Sequence, residues 1–203
     1  MANVFSPLGF DPGGRHDGAS WSANMNGSYR ILYSNTHQLY RGDICVMLSS
    51  GYIDTLAPGT TPPLGIFWGC QYVSASQRSL VFSQSFPGAD QITNGIVQAF
   101  VIDDPNVQFW VQTGWSGGTP AAATQAMVGM NAQYNNGTAN VPAQMSGAYI
   151  DLNVTPAVTA TFPFRIMALQ TDPPGANGTD TTSAYNNVLV AWNNQFYSQL
   201  TGI

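Results

Sequence analysis

Residues 39–73, LYRGDICVMLSSGYIDTLAPGTTPPLGIFWGCQYV, hold the reading that decides the fold. After the turn at Arg41-Gly42-Asp43, residues Ile44, Val46 and Leu48 recur with the two-residue period of a strand and share one face. Ser50-Gly51 turns the chain into a second strand, Tyr52–Leu56, and APGTTPP over 57–63 is a loop. Gly65–Val73 follows, with Ile66, Trp68, Cys70 and Tyr72 placed on one face. Working outward, the same rhythm predicts strands at Ser28–Tyr33, Ser79–Phe86, Ile96–Ile102 and Val107–Thr113, with turns at Pro87-Gly88 and at DDPN, 103–106. Turn signals at about 8–12-residue spacing between such strands mark an antiparallel sandwich or barrel.

Further strands are expected at Tyr149–Leu152, Ala160–Leu169 and Asn187–Trp192. Residues 193–203 read as a final strand or a short helix. GWSGGTPAAAT, 114–124, is a linker or one helical turn and marks a possible internal division. NAQYNNGTAN, 131–140, is polar and low in complexity, and TDPPGANGTDTTS, 171–183, reads as a solvent-exposed loop. The expectation is an all-β chain: a sandwich or barrel of short strands over residues 28–203, preceded by an extended arm, 1–27.

Composition supports this. The chain has no lysine and no glutamate; five arginines and ten aspartates carry its charge, for a net −5. Charged residues reach 7%, against about 25% in an ordinary domain. Asn, Gln, Ser, Thr and Gly fill the gap, and these favour turns and strand edges over helices. Such a surface suits a dense ordered assembly or an extracellular setting. No basic run exists to follow a nucleic-acid backbone, and an anionic membrane would repel the chain. The opening MANVFSPLGFDPGG lacks the basic and long apolar regions of a signal peptide, so ordinary secretion is not expected. Asn26-Gly-Ser28, Asn136-Gly-Thr138 and Asn177-Gly-Thr179 then read as turns, and Cys45 and Cys70 as buried free thiols made in a reducing cytosol.

In the arm, Phe5, Leu8, Phe10 and Trp21 are scattered among prolines and glycines with no period. Spaced apolar anchors dock on something, whether the chain's own core or a neighbour. These four, with Arg15, are the residues assigned to a protein interface. Deletion of 2–20 is expected to leave a folded core that no longer attaches or oligomerises.

Tools for catalysis are few. His16 and His37 stand 21 residues apart, outside any metal-ligand spacing. Asp103-Asp104 is the only adjacent carboxylate pair and sits at a turn, where Asp serves the backbone. Neither DDPN nor TDPPGANGTD has the spacing of a calcium loop. Phosphate-loop, dinucleotide and nucleophile-elbow motifs are absent. No catalytic residue, cofactor or metal is expected, and Arg41-Gly42-Asp43 reads as a turn rather than an adhesion motif.

The 39–73 segment resembles small virion proteins of tailed bacteriophages, through Gly42, Asp43, Val46, Gly51, Leu64, Gly65, Gly69, Cys70 and Tyr72. FVIDDPNVQFWVQT (100–113), PLGFDPGGRHDGA (7–19) and VGMNAQYNNGT look similar to further blocks of that group. The resemblance implies a capsid decoration or cement protein on the outer surface of the virion, made in the host cytoplasm, with the major capsid protein as partner. By analogy with lambda-type decoration proteins it implies a homo-oligomer, a trimer first. The alternative is a head-fibre or tail/receptor-binding component, with Asn/Gly/Thr-rich loops facing carbohydrate.

Overall fold

In the computed structural model, which describes residues 3–19, 25–55, 61–171 and 182–198, the period-2 segments pair into β-sheets. The first nine strands are β1 (Asp11–Arg15), β2 (Asn26–Ile31), β3 (Leu39–Tyr40), β4 (Ile44–Met47), β5 (Ile53–Thr55), β6 (Gly65–Val73), β7 (Leu80–Ser83), β8 (Ser85–Phe86) and β9 (Val97–Ile102). They are followed by β10 (Val107–Gly114), β11 (Asn131–Ala132), β12 (Tyr134–Asn135), β13 (Tyr149–Asp151), β14 (Phe164–Leu169) and β15 (Asn187–Trp192). Among the described residues, helix is limited to two single 3-10 turns, Gln125–Met127 and Phe196–Ser198. The second of these falls in the C-terminal segment, of which residues 199–203 lie outside the described residues.

A six-stranded antiparallel sheet runs β2-β9-β6-β4-β5, with β7 on the far end of β6. β2 and β5 come together across the remaining gap, so the sheet curls into a nearly closed barrel. A seven-stranded sheet runs β11-β14-β15-β10-β13-β12, with β1 added to β10. β3 and β8 form a small third sheet. The expected antiparallel pairing holds except between β10 and β13, which run parallel at Thr113–Ile150 and Gly114–Asp151.

Two cores result. One lies inside the barrel and includes Ile31, Cys45, Phe67, Cys70, Phe86 and Val101. The other lies beneath the seven-stranded sheet and includes Phe109, Ile150, Phe164, Ile166 and Val190. The barrel sheet walls both. Ile44 faces the second core while its neighbour Cys45 faces the first, as period 2 demands.

β6 departs from the simple alternation. Phe67 pairs with Val101 but Gly69 pairs with Phe100, so Trp68 is the extra residue of a bulge. Ile66 and Trp68 therefore face the second core, while Phe67, Cys70 and Tyr72 face the first. The expectation of one shared face is corrected: the bulge changes the phase. Gly69 permits the close approach, since a Cβ there would stand 2.9 Å from the Ser83 carbonyl oxygen.

The predicted Ser79–Phe86 strand is two strands, broken at Gln84. Residues 114–124 do not divide the chain in packing terms, because Val111 before them and Ala132 after them share one core. Ala123 is held by the buried Asn186 amide, which accepts from its N–H at 2.9 Å and donates to its C=O at 3.0 Å.

The arm is also more structured than its sequence suggests. β1 pairs antiparallel with β10, with a register shift between Pro12 and Gly14. Phe10 is 1% exposed and stacks on Phe164 at 4.5 Å, with Phe109 edge-on at 6.3 Å. The arm thus supplies a core residue, and removing 2–20 would take Phe10 out of that core.

Candidate protein interface

The five residues assigned to an interface do not behave alike. Phe10 is internal, as shown above. Arg15 is also engaged inside the chain: its guanidinium holds Asp17 through two hydrogen bonds, at 2.6 and 3.0 Å, and also bonds Asp104 across the 103–106 turn. The Arg15 bonds lower the Asp17 carboxyl to about 2. Both side chains are thus engaged within the chain's own fold. Phe5 and Leu8 remain 43% and 48% exposed. Phe5 leans on Tyr149 and Tyr185 at 5.2 and 5.1 Å, while the Gln112 side chain accepts from Ser6 N–H and donates to the Val4 carbonyl, both at 2.8 Å. Trp21 lies outside the described residues.

The arm crosses the chain at the Arg41-Gly42-Asp43 turn. Gly42 has φ +93°, and a Cβ there would meet Gly9, Leu8 O and Phe10 N at 3.1 Å. Phe10 N–H donates to Gly42 O at 3.2 Å, and Ser146 N–H to Arg41 O at 2.9 Å. Asp43 is buried and accepts from Tyr40 N–H at 2.7 Å. Burial pushes its carboxyl up to about 6, against the opposing hydrogen bonds from Ser146 and Tyr40. Arg41 lies over the Trp68 ring at 3.9 Å. The tripeptide is therefore a junction of arm, barrel and the 140–146 loop, as its reading as a turn requires.

Other singled-out residues also have structural partners. Asp103 accepts from Tyr29 OH at 2.7 Å and Asn26 Nδ2 at 2.9 Å; Asp104 accepts from Asn106 N–H at 2.8 Å. His37 Nδ1 lies 2.8 Å from Asp54. Among the described residues, no group of three or more His, Cys, Asp or Glu side chains is placed to hold a metal ion. Both cysteines are free and buried; burial raises both thiols, that of Cys70 to about 12.

The exposed apolar surface that sequence reasoning missed lies on β7. Its Leu80 and Phe82 are 57% and 69% exposed. β7 pairs with β6 alone among the described strands, so its outer edge carries unpaired backbone groups. Beside it runs a groove of about 270 Å³ lined by Met25, Trp68, Phe82 and Phe100. Among the described residues no charged side chain lines that groove. A strand edge with alternating exposed apolar residues can bind a partner strand by backbone hydrogen bonds and seat its side chains alongside. The signal was present as Leu80-Val81-Phe82, but all three are apolar, so periodicity could not say which face lay outward.

A scan against protein-family models, a search of curated proteins and a search of solved structures each return no match for this chain.

Proposed function

We propose that this chain is a non-catalytic structural protein of a tailed-bacteriophage particle, a decoration or cement protein that binds across capsid subunits on the outer surface. The observation that carries the reading is the uncharged, apolar edge of β7, unpaired among the described strands, with Leu80 and Phe82 outward. Soluble monomers blunt such edges with charge, Pro or cover. A protein that binds a partner needs the opposite. The scarcity of charge supports the same reading, since Lys and Glu are depleted where proteins meet. The likeness of residues 39–73 and 100–113 to tailed-phage virion proteins is what suggests a phage shell as the partner. A clamp that binds the assembled lattice and not free subunits stabilises the lattice by mass action. Homo-oligomers, a trimer first, would multiply weak edge contacts into avidity.

The test adds purified protein to phage shells that lack it. Occupancy is read by cryo-electron microscopy, and shell rupture by heating. The wild-type chain should saturate the shells and raise the rupture temperature. A Leu80→Asp/Phe82→Asp double variant, folded by circular dichroism, should lose at least tenfold in affinity. Wild-type chain that ignores assembled shells would end the proposal. Equal decoration by the variant would remove β7 from it.

A further inference from the structure

A second feature stands apart from β7 and does not depend on shell binding. At one end of the barrel, β2 and β4 finish and β5 and β9 begin, since neighbouring strands run antiparallel. There Arg30, Tyr33, Tyr52, Asn94 and Ile96 surround a cleft of about 240 Å³. Its floor is Ile31 and Val97, both buried core residues. Barrel mouths are recurrent ligand sites, with an apolar base and a few polar groups at the rim.

The rim groups are free. Among the described residues the Arg30 guanidinium makes no salt bridge or hydrogen bond, and neither the Tyr33 nor the Tyr52 hydroxyl has a partner. Arg15, Arg41 and Arg165 are all engaged within the fold. In a chain with five arginines and no lysine, an unengaged guanidinium beside two phenol rings is a concentrated binding resource. The walls are also positioned. Gln91 Nε2 bonds the Tyr33 carbonyl, and Gly95 N–H donates to Ile92 O at 2.9 Å in the turn that presents Asn94.

The chemistry of these groups defines the ligand. Phenol rings present flat π faces that pack against the C–H face of a sugar ring, and their hydroxyls can donate and accept. A guanidinium fork matches a carboxylate in bidentate fashion. The Asn94 amide supplies further donors and an acceptor. Among the described residues one cation and no carboxylate line the cleft, which favours a ligand unit with a single negative charge. A net charge of −5 disfavours a nucleic acid or another densely charged polyanion. We infer that the cleft bounded by Arg30, Tyr33, Tyr52 and Asn94 binds an acidic sugar residue carrying one carboxylate.

The isotopically labelled full chain is titrated, followed by nuclear magnetic resonance, with methyl β-glucuronide, methyl β-glucoside and a short single-stranded oligonucleotide. The glucuronide should give saturable shifts confined to Arg30, Tyr33, Tyr52 and Asn94. Arg30→Gln, at an exposed position that leaves the fold intact, should weaken it about tenfold, the size expected of a charged hydrogen-bonded contact. The neutral glucoside should bind the wild-type chain about as weakly as the glucuronide binds the variant. The inference is overturned by no saturable shift with the glucuronide. Equal binding of glucuronide and glucoside to the wild-type chain also overturns it, as does a response at these residues to the oligonucleotide alone.

Discussion

Replacing Phe10 by Ala tests whether the arm is part of the fold. The ring is 1% exposed, is stacked on Phe164 at 4.5 Å with 16° between the planes, and is edge-on to Phe109. Truncating a buried Phe to Ala costs about 3–5 kcal/mol. β1 is an added strand on β10, so its chain can relax toward the vacated space, which favours the lower half of that range. About 3–4 kcal/mol is a large part of a total of roughly 5–15 kcal/mol. For a chain of this size it should lower Tm by about 6–16 °C, at roughly 2–4 °C per kcal/mol. The control is Phe5→Ala, where 43% exposure leaves less to lose, about 1 kcal/mol or below. Urea unfolding followed by far-ultraviolet circular dichroism, with the slope checked for two-state behaviour, reads both variants. A Phe10→Ala loss within 0.5 kcal/mol of the Phe5→Ala loss would refute the docking of the arm on its own core.

Three further outcomes are expected. The Asp43 carboxyl rises from 3.8 to about 6 on folding, so its contribution to stability is fullest below pH 3.8 and is lost as pH rises through 6. That amounts to about 2–3 kcal/mol between pH 3.5 and 7.5. Asp43→Asn should flatten that part of the stability profile measured by urea unfolding. The Cys45 and Cys70 thiols should react with a disulfide reagent at pH 8 only after unfolding, and then count two; rapid native labelling or a count of zero would contradict their placement. Asn186→Ala strips the Ala123 N–H and C=O of their buried side-chain partner, while the Thr113 hydroxyl keeps the Asn186 backbone carbonyl at 2.9 Å. It should cost about 2–4 kcal/mol in denaturant unfolding, whereas an unchanged midpoint would mean that the 114–124 segment is not anchored there.

The strands most legible in the sequence were those with unbroken alternation or a long apolar run between turns. β6 and β15 match their expected bounds, and β4, β9 and β10 come within a residue or so. The strands that were missed have no side-chain signal of their own. β1 is Asp-Pro-Gly-Gly-Arg, and it is extended because β10 offers an edge and Gly13 lets the Trp110 ring approach, not because of propensity. β11 and β12 are two-residue pieces of a polar tract, fixed by long-range partners. The face switch in β6 was illegible for a related reason: a bulge is a relation between two strands, and only Gly69 hinted at it. Phe10 was recognisable as an anchor, but an irregular arm carries no information about which core it enters. Leu80 and Phe82 lay inside a predicted strand, yet their exposure depends on β7 being an edge, which is a property of topology.

The barrel wall shared by the two cores governs how the molecule comes apart. β6 presents Ile66 to one core and Phe67 to the other within two residues, and β4 does the same with Ile44 and Cys45. Neither core has a wall of its own on that side. Loosening the barrel strips the inner lining from the seven-stranded sheet, and melting that sheet leaves Ile44, Ile66 and Ile102 facing water. Two hydrophobic centres with a common partition cannot fail one at a time. Calorimetry should therefore record one endotherm rather than two, and neither half should survive as an autonomous fragment when the chain is cut at the 103–106 turn.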